Sequence, residues 1–440
     1  MNTAHNQTWL ILSHAYNMDG RAASQTITDK IPHLLAIGVK PIVVSGVLGW
    51  KDTAIEHHQV LPALPVGLRF DLRHYLRNRI NSRLRYRLCM TCVSLVLLPF
   101  YVIEKLLFPV ETSWSWSISA FIKSAFIIRR QRPTLVYSTG GAYAAHIAGY
   151  WLAKSFGIPW IAEIHDPMVI ESKANKTYRE KFMARLETII CTHADVVWWF
   201  TEKALERARG RNPQLSERGH YVLAGVDAPK IIRKPYHPGE KMIIGHFGSL
   251  SPTRNLAIFL EALNQFAARD PQRAHKVELH IYGGSMDDIS SSAIERFPYP
   301  EMIKDMGRLE ADPVTGESGR DRVLHRMNAV DVLLLLHGTI PFCEEYIPSK
   351  LYEYFWAKRP VLGLVHHNPQ LSSILKQLHH YAVEAERPDL ILNELEDIYS
   401  RWLRNDLQDI PEDSPYTTQN AVQAIHAWVE DYFKKGAVAS

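Results

Sequence analysis

Two glutamates and a lysine in the stretch CEEYIPSKLYEYFWAKRP have types and spacing suited to binding a phosphorylated ligand. Glu345 and Glu353 lie eight positions apart, and Pro348 favours a helix start between them, because proline lacks the N–H that the first helical turn leaves unpaired. Lys350 then falls in the first turn, where a cation is unfavourable unless an anion binds beside it. We therefore expect a phosphate on the N–H groups of this turn, next to Lys350. Glu353, about one turn further along, would accept hydrogen bonds from two adjacent hydroxyls such as those of a ribose.

This segment resembles the E-x7-E motif of the retaining GT-B glycosyltransferases of family 4. The form PSKLYEY followed by RPVL is similar to the branch that acts on cell-surface polysaccharides and lipid-linked sugars. In that family the first glutamate faces the donor sugar, the second holds the ribose and a lysine binds the diphosphate. The resemblance implies these roles for Glu345, Glu353 and Lys350, with Ser349 and Leu351 as further donor-binding residues. For each residue alone, the alternative is a solvated side chain on a helix.

A glycine turn precedes this motif in the same half of the chain. The stretch KMIIGHFGSLSPTRNLAIFLEAL is similar to the family's strand, glycine turn and helix, and Gly245 and Gly248 permit close approach of a ligand to the backbone. Arg254 fills the later position of a basic pair that the family often carries. Ser249 stands at the earlier position, so the resemblance implies one cation in this loop.

Two further strand ends carry candidate donor-binding residues. In HIYGG, Gly283 and Gly284 are expected to let the nucleotide approach the backbone. The segment MGRL resembles the part of the family that reads the edge of the base, with Gly307 and Arg308 as candidates. The alternative for each glycine is a simple turn.

The first half of the chain contributes a loop and a histidine. In YNMDGRAASQTI, Gly20 and Arg21 precede a helical stretch and are expected to face the donor diphosphate, although the family often has two glycines there. The stretch from YSTGG to IHDPM resembles the acceptor-domain motif of the branch. His165 matches the histidine that hydrogen-bonds the donor sugar, and Asp166 would orient it or contact the acceptor. The alternative is a satisfied histidine at a strand end.

Short apolar runs of strand length alternate with amphipathic stretches through most of the chain. The runs are 9–13, 41–46, 134–138, 159–166 and 195–200 in the first half, and 241–248, 277–284, 301–307, 331–338 and 359–365 in the second. Near-continuous apolar strands with room for a helix between them indicate parallel sheets covered on both faces. With the resemblance, they predict an α/β protein of the GT-B class, with two Rossmann-like doubly wound domains facing a cleft.

A break in this alternation predicts the domain boundary. Residues 226–240 are rich in proline, glycine and charge, which is typical of a linker. We expect an acceptor-side domain over 1–230 and a nucleotide-sugar-binding domain over 240–415. Apolar residues at helical spacing in 416–440 predict a final helix, which the resemblance places on the first domain.

An arginine cluster precedes an apolar run within 69–110. Residues 69–87 hold seven arginines against one acidic residue, and residues 88–103 are uncharged but shorter than the roughly 20 residues that span a bilayer. This combination is typical of an interfacial helix on anionic lipid. The arginines that we expect to face the membrane include Arg73, Arg77, Arg83 and Arg87. The alternative is a pair of helices buried inside the first domain.

Composition limits the remaining function classes. A formal net charge of +4 over 440 residues does not indicate a broad nucleic-acid-binding surface. The N-terminal residues lack the positive and apolar regions of a secretory signal, so we expect a cytoplasmic location at the inner face of the cell membrane. Four cysteines fit a reducing compartment. Cys89 and Cys92 have the spacing of a redox or zinc pair, but no second pair follows, and we expect ordinary buried thiols.

The resemblance implies a retaining, metal-independent hexosyl transfer with no bound cofactor. A nucleoside diphosphate sugar would be the co-substrate, a glycan or lipid-linked sugar the acceptor, and an anionic membrane surface a further partner; nucleic acid is not expected. Two alternatives stay open. One is a sugar-nucleotide epimerase on the same architecture, and the other is a non-catalytic partner subunit that keeps the fold.

Overall fold

Alternating strands and helices form two parallel sheets in a computed structural model. The structure describes residues 7–18, 21–77, 79–110, 112–141, 143–170, 177–230, 236–312, 314–407 and 409–438. The chain divides into unit 1, which comprises Met1–Ala224 and Thr418–Ser440, and unit 2, which comprises Gly225–Thr417. Of the predicted linker, 231–235 lies outside the described residues.

The sheet of unit 1 has the strand order β3-β2-β1-β4-β5-β6-β7. The strands are β1 Thr8–Leu12, β2 Lys40–Ser45, β3 Glu56–Gln59, β4 Leu135–Thr139, β5 Trp160–Ile164, β6 Val196–Trp199 and β7 Gly219–Tyr221. The helices are α1 Ala22–Thr28, α2 Lys30–Ala36, α3 Pro65–Arg77, α4 Arg83–Leu107, α5 Trp116–Gln131, α6 Ala144–Phe156, α7 Tyr178–His193 and α8 Glu202–Arg211. The strand order reverses between β1 and β4, which is where ligands bind in open α/β sheets.

The sheet of unit 2 has the strand order β10-β9-β8-β11-β12-β13. The strands are β8 Met242–Phe247, β9 Val277–Tyr282, β10 Ile303–Asp305, β11 Val332–Leu336, β12 Val361–Val365 and β13 Tyr381–Glu384. The helices are α9 Ala257–Arg269, α10 Asp288–Glu295, α11 Gly319–Asn328, α12 Lys350–Ala357, α13 Pro369–Gln377 and α14 Pro388–Leu403. Here the order reverses between β8 and β11, so the loops after these strands meet at the switch point.

The final helix, α15 (Thr418–Val438), belongs to unit 1, where it packs against α2 and β6. Its apolar side chains, among them Val422 and Val429, join a buried cluster with Trp9 and Trp198. The ring of Trp428 stacks on His220 at 4.4 Å between centroids. The helix therefore completes the core on one face of the first sheet.

Three short strands were missed in the sequence. They are β3 (EHHQ), β7 (GHY) and β13 (YAVE), each at or near a sheet edge. An edge strand pairs on one side only and needs few apolar residues, so its composition does not separate it from a loop. The apolar central strands were predicted close to their observed bounds, as in β11, where every residue is buried.

The arginine cluster and the apolar run form a hairpin of α3 and α4. The helix α4 has 25 residues and includes Pro99, so it extends beyond the uncharged stretch of 88–103 at both ends. By length and composition α4 could cross a membrane, yet only 6% of its most apolar 18 residues is buried. The alternative of a buried pair of helices is therefore wrong for α4. The expectation of buried thiols is also wrong for Cys89 and Cys92, which are exposed on this helix.

Hydrogen bonds hold the hairpin closed at its base. The buried Glu104 of α4 accepts from the Val66 backbone N–H at the start of α3 at 2.8 Å, and from the Trp114 indole at 3.0 Å. A carboxylate is favourable at this helix N-terminus because of the helix dipole. Further along, Arg69 donates to Ser94 at 3.0 Å. The two helices therefore run antiparallel, and the turn between them lies far from the base.

Candidate functional site

The glycines predicted in unit 2 follow three neighbouring strands and contact one another. The Gly283 N–H donates to the Gly307 carbonyl at 3.1 Å, and a Cβ atom on Gly283 would lie 2.3 Å from the carbonyl oxygen of Gly248. Gly307 has a left-handed φ of 64° and is followed by the exposed Arg308. The loops after β8, β9 and β10 thus pack against one another at the carboxyl edge of the sheet, which we call the glycine edge, and there is open space at Gly284.

Gly245 does not belong to this edge. A Cβ atom there would lie 2.8 Å from the ring of Phe247 and 2.9 Å from Val330, so the glycine is needed for packing inside the unit. The expectation that it admits a ligand is wrong.

Arg254 lies at the switch point of unit 2. Its Nε donates to the carbonyl of Ser249 at 2.9 Å, which folds the side chain over its own loop. This loop is joined to the one after β11, because the Thr339 N–H donates to the Thr253 carbonyl at 2.7 Å. Arg254 is therefore held beside the segment that leads to the glutamate motif.

The start of α12 brings Lys350 and Glu353 together. The Lys350 ammonium donates to one carboxylate oxygen of Glu353, and Arg320 lies 3.8 Å from the other. The anion beside Lys350 in this structure is thus a residue of its own helix, whereas we expected a phosphate there. Leu351 is buried, and its N–H donates to the Pro348 carbonyl at 3.0 Å. In this structure the Leu351 N–H is thus engaged within its own turn, and its role in donor binding stays a prediction.

Glu345 ends a short turn between β11 and α12 and is buried. The turn is fixed from below by Asn368, whose side-chain nitrogen donates at 2.9 Å to the carbonyls of Cys343 and Tyr346. His337 approaches the same Tyr346 carbonyl at 3.3 Å. Burial lowers the pKa of His337 to about 4, which keeps its imidazole neutral at physiological pH. This support fixes the first glutamate of the motif at the carboxyl end of β11.

A second hydrogen-bonded group connects α12 to both switch-point strands. The Tyr354 hydroxyl accepts from the Phe247 N–H at 3.0 Å and donates to the Leu334 carbonyl at 3.3 Å. His246 contacts the same carbonyl through Nδ1 at 3.1 Å, and burial lowers its pKa to about 4. The position of α12 is thus fixed relative to β8 and β11.

In unit 1, His165 and Asp166 follow β5, as expected from the sequence. Asp166 is exposed, whereas the His165 side chain is 6% exposed and its Nε2 lies 2.7 Å from the buried Glu163 carboxylate. The other Glu163 oxygen accepts from Lys30 Nζ and from the Tyr137 hydroxyl, each at 2.5 Å. Burial alone would raise the pKa of Glu163, but Lys30 and His165 outweigh it and hold that pKa well below its ordinary value.

Sequence reasoning did not single out Glu163 or Lys30. The usable signal was a charged residue inside the otherwise apolar strand WIAEI, since a fully buried carboxylate needs a partner. The lysine that supplies this partner stands 133 positions earlier and has no mark of its own.

The remaining predicted residues of unit 1 lie on its surface or outside the description. Arg21 is exposed and precedes α1, whereas Gly20 lies outside the described residues. The loop after β1 is tied to the hairpin by His14 of the loop and Asp71 of α3, which are 3.0 Å apart and both buried. The hairpin arginines Arg73, Arg77, Arg83 and Arg87 are all exposed.

Within the described residues, one group has side chains that could hold a metal ion. His366, His367 and Glu386 offer ligand atoms within 4.8 Å of one another, next to the end of β12. Two of these three residues are exposed. The group adjoins the turn that carries Glu345, because the His366 N–H donates to His337 Nδ1 at 3.2 Å.

The architecture is the GT-B fold, in which one chain carries two doubly wound α/β units, and the predicted fold class is confirmed. The structure matches sucrose-phosphate synthase from Thermosynechococcus elongatus over 98% of both chains, with a TM-score of 0.61 and 13% identity. TarM matches over 96% of this chain and 98% of its own, with a TM-score of 0.61 and 10% identity.

A Listeria monocytogenes protein described as a UDP-N-acetylglucosamine 2-epimerase matches over 98% of this chain and 97% of its own, with a TM-score of 0.51 and 10% identity. No family model matches the chain, and no curated protein is significantly similar to it. At such identities the likeness establishes the fold, and function must be argued from the site.

Proposed function

We propose that this protein is a glycosyltransferase that moves a sugar from a nucleoside diphosphate donor to a glycan or lipid-linked acceptor. The observation that supports this most directly is the grouping in unit 2. Arg254 follows β8, and Glu345, Lys350 and Glu353 follow β11, the two strands at the switch point. Two cations suited to a diphosphate and two carboxylates suited to hydroxyl groups are thus placed where ligands bind in this class of sheet.

Each of these residues has a task in the proposed transfer. The leaving nucleoside diphosphate gains negative charge, which Lys350 and Arg254 would stabilise as fixed cations. Glu345 would stabilise the positive charge that develops on the sugar, and Glu353 would hold the ribose hydroxyls. The acceptor hydroxyl would attack from the face that the diphosphate leaves, with a phosphate oxygen taking the proton. This route retains the configuration of the sugar and needs no metal ion.

Two structural neighbours support this class of substrate. A TarM variant from S. aureus was crystallised with UDP and alpha-GlcNAc-glycerol, and its TM-score to this chain is 0.58. WaaB, a lipopolysaccharide outer core galactosyltransferase, has a TM-score of 0.52. By analogy with these two proteins, we propose a nucleotide-sugar donor and a surface-glycan acceptor.

Donor binding can be tested by thermal stability. UDP, GDP, ADP and dTDP, with their common sugars, are added to the full-length protein, and the proper nucleotide should raise the Tm because it binds the folded state only. Lys350→Ala should need a roughly 10- to 100-fold higher nucleotide concentration for the same rise in Tm, since it removes a charge-assisted contact. Lys276→Ala, at an exposed lysine of the same unit, is the matched control. The proposal fails if no nucleotide raises the Tm.

The epimerase alternative has its own support in the Listeria neighbour. An epimerase interconverts its sugar nucleotide without an acceptor, whereas a transferase releases a nucleoside diphosphate only when sugar reaches an acceptor. Incubation with labelled sugar nucleotide, with and without a lipid extract, separates the two. Transfer to lipid that is lost in Glu345→Gln would also exclude the non-catalytic partner subunit.

We also propose that the α3–α4 hairpin rests on the inner face of the cell membrane. Large apolar side chains of α4 are exposed, including Leu95 at 64%, Val96 at 71% and Leu106 at 77%. A spanning α4 would carry α3 and its arginines into the bilayer core, because α3 is joined to α4 at Glu104 and again by the Arg69–Ser94 hydrogen bond. The exposed arginines at the far end favour anionic headgroups over the bilayer core. An orientation in the plane of the membrane satisfies both constraints.

Membrane contact can be tested by sedimentation with vesicles that contain phosphatidylglycerol. The variant with Ser at Arg73, Arg77, Arg83 and Arg87 should lose most of its vesicle binding, and the wild-type binding should weaken with salt. A control carries Ser at four exposed arginines outside the hairpin, namely Arg130, Arg132, Arg179 and Arg185. Equal sedimentation of the two variants would contradict the proposal.

A further inference from the structure

The carboxylate of Glu163 receives four hydrogen bonds, two on each oxygen. Lys30 and Tyr137 donate to Oε2, while Thr139 and His165 lie 3.0 and 2.7 Å from Oε1. Glu163 is fully buried and Lys30 is 2% exposed. An ionised carboxylate only accepts, so each of its partners must donate. His165 Nε2 therefore carries a proton.

The protonation of Nε2 determines the other nitrogen of the ring. Lys30 already balances the charge of Glu163, so a second cation on His165 would be repelled by the ammonium group. A neutral imidazole with its proton on Nε2 has a lone pair on Nδ1. This Nδ1 makes no hydrogen bond within the part of the chain that the structure describes, and its ring packs on Phe200 at 4.8 Å. His165 thus presents an acceptor at the carboxyl edge of the sheet.

We infer that Lys30 and Glu163 are positioning residues, which hold His165 in the tautomer whose Nδ1 accepts a hydrogen bond from a hydroxyl or amide N–H of the bound sugar. This rests on the proposed function for the nature of the ligand. A role in stability alone explains the pair poorly, because a buried ion pair contributes little compared with apolar residues of the same volume. A fixed donor and acceptor pattern gives specificity, since a ligand without the matching donor leaves Nδ1 unpaired.

Replacing the carboxylate by an amide gives a distinctive test. In Glu163→Gln the new NH2 group is repelled by the Lys30 ammonium, so it turns toward His165. Nε2 must then accept, the proton moves to Nδ1, and the ring presents a donor instead of an acceptor. The same substitution in a catalytic triad keeps the geometry and fixes the wrong tautomer. We expect kcat/KM to fall roughly 10- to 100-fold, the effect of one lost hydrogen bond in a buried site.

Removing the lysine as well should reverse this effect. In the double variant Lys30→Met with Glu163→Gln, the NH2 group can face Tyr137, whose hydroxyl can accept, and the amide oxygen returns to His165. We expect it to recover at least about 10-fold of the lost activity. The double variant Lys30→Met with Glu163→Leu also removes the buried charge but offers no acceptor, and should stay as inactive as Glu163→Gln. If all variants that fold have equal kcat/KM, the inference is wrong.

The tautomer can also be read without any activity. In protein labelled with 15N-histidine, the unprotonated nitrogen resonates far downfield of the protonated one, and His165→Gln identifies the signals. Wild type should show unprotonated Nδ1, and Glu163→Gln the reverse. A protonated Nδ1 in the wild type overturns the inference even if sugar transfer is observed. The expected tautomer without any nucleotide-sugar turnover would instead count against the proposed function.

Discussion

The two units share one sheet architecture but hold their charged residues in opposite ways. In unit 1, Lys30 and Glu163 are buried and form an ion pair, and Glu163 is also hydrogen-bonded to Tyr137, Thr139 and His165. In unit 2, Lys350 is 37% exposed and pairs with Glu353 three residues along the same helix. A pair of this helical kind contributes roughly 0.2–0.5 kcal/mol.

This difference indicates two kinds of preorganisation. The Lys350–Glu353 pair can open at little cost, so Lys350 can bind a diphosphate and Glu353 a ribose in place of each other. The Lys30–Glu163 pair cannot open without leaving a buried charge unpaired, so it fixes a geometry. We expect substitutions of the unit 1 pair to change mainly the stability of the protein and the orientation of His165. Substitutions of the unit 2 pair should change mainly the affinity for ligand.

Acid should have the largest effect on the stability of the two units. Burial lowers the pKa of His246 and His337 to about 4 and of His380 to about 3, all in unit 2. Each of these histidines binds a proton more readily in the unfolded chain than in the folded protein. The folded state therefore has its full stability above the ordinary histidine pKa of about 6.5 and loses stability as the pH falls toward the folded pKa. Between pH 7 and 5 each should cost about 2 kcal/mol.

Hydrogen exchange at pH 7 and 5 would measure this loss in each unit separately. In unit 1, burial lowers the pKa of His57 to about 4 and of His146 to about 3, and it lowers the pKa of His74 and His220 as well. Both units should therefore lose protection at pH 5. Unchanged protection in either unit would contradict this expectation.

A pair of matched lysine substitutions tests the comparison directly. Lys30→Ala should lower the free energy of unfolding by about 3–5 kcal/mol, because it leaves Glu163 buried and unpaired. Lys350→Ala should change it by no more than about 0.5 kcal/mol and weaken nucleotide binding instead. Urea unfolding measures the stability of each variant, and nucleotide titration measures its affinity. Similar stabilities for the two variants would contradict the proposed difference between the buried pair of unit 1 and the helical pair of unit 2.

Glycine substitutions test the packing of the loops. Gly283→Ala places a Cβ atom 2.3 Å from the Gly248 backbone oxygen, so the loop must shift, at a cost of about 1–3 kcal/mol. Gly284→Ala meets no atom within 4 Å, and in unit 1 Gly141→Ala meets only the Ala23 methyl group at 3.6 Å. We expect these two controls to melt like the wild type, and Gly283→Ala also to weaken nucleotide binding.

The smallest effect on stability is expected on the hairpin. Leu95→Ser with Val96→Ser changes side chains that are 64% and 71% exposed, so unfolding should change by no more than about 0.5 kcal/mol. Vesicle binding should nevertheless weaken, because the apolar contact with lipid is lost. Leu403→Ser, at a residue 57% exposed in unit 2, should leave vesicle binding unchanged. Unaltered sedimentation of the double variant would count against an apolar contribution.

Sequence reasoning reached the features that depend on local pattern. Runs such as VLLLL predicted central strands because both faces of a parallel sheet are buried. The helix start at Pro348 was also predicted, and α12 begins at Lys350. The extent of α4 was underestimated because its charged ends, Arg83–Arg87 and Glu104–Lys105, do not look apolar although they continue the same helix.

The parts that were missed depend on contacts between distant positions. Nothing near Lys30 indicates that its ammonium will meet a carboxylate on β5, and nothing near Gly245 separates a packing glycine from a ligand-binding one. The pairing of Lys350 with Glu353 was open to prediction from their spacing, yet the resemblance directed both toward a ligand. The individual donor-binding and catalytic roles therefore remain predictions.

The return of α15 to unit 1 determines the order in which the chain can mature during synthesis. All of unit 2, Gly225–Thr417, leaves the ribosome before the helix that covers Trp9 and Trp198. Unit 2 can fold while the first sheet still exposes aromatic surface to other nascent chains. A stop codon after Thr417 would make this exposure permanent, and we expect such a product to depend on chaperones or to aggregate although every strand of both sheets is present.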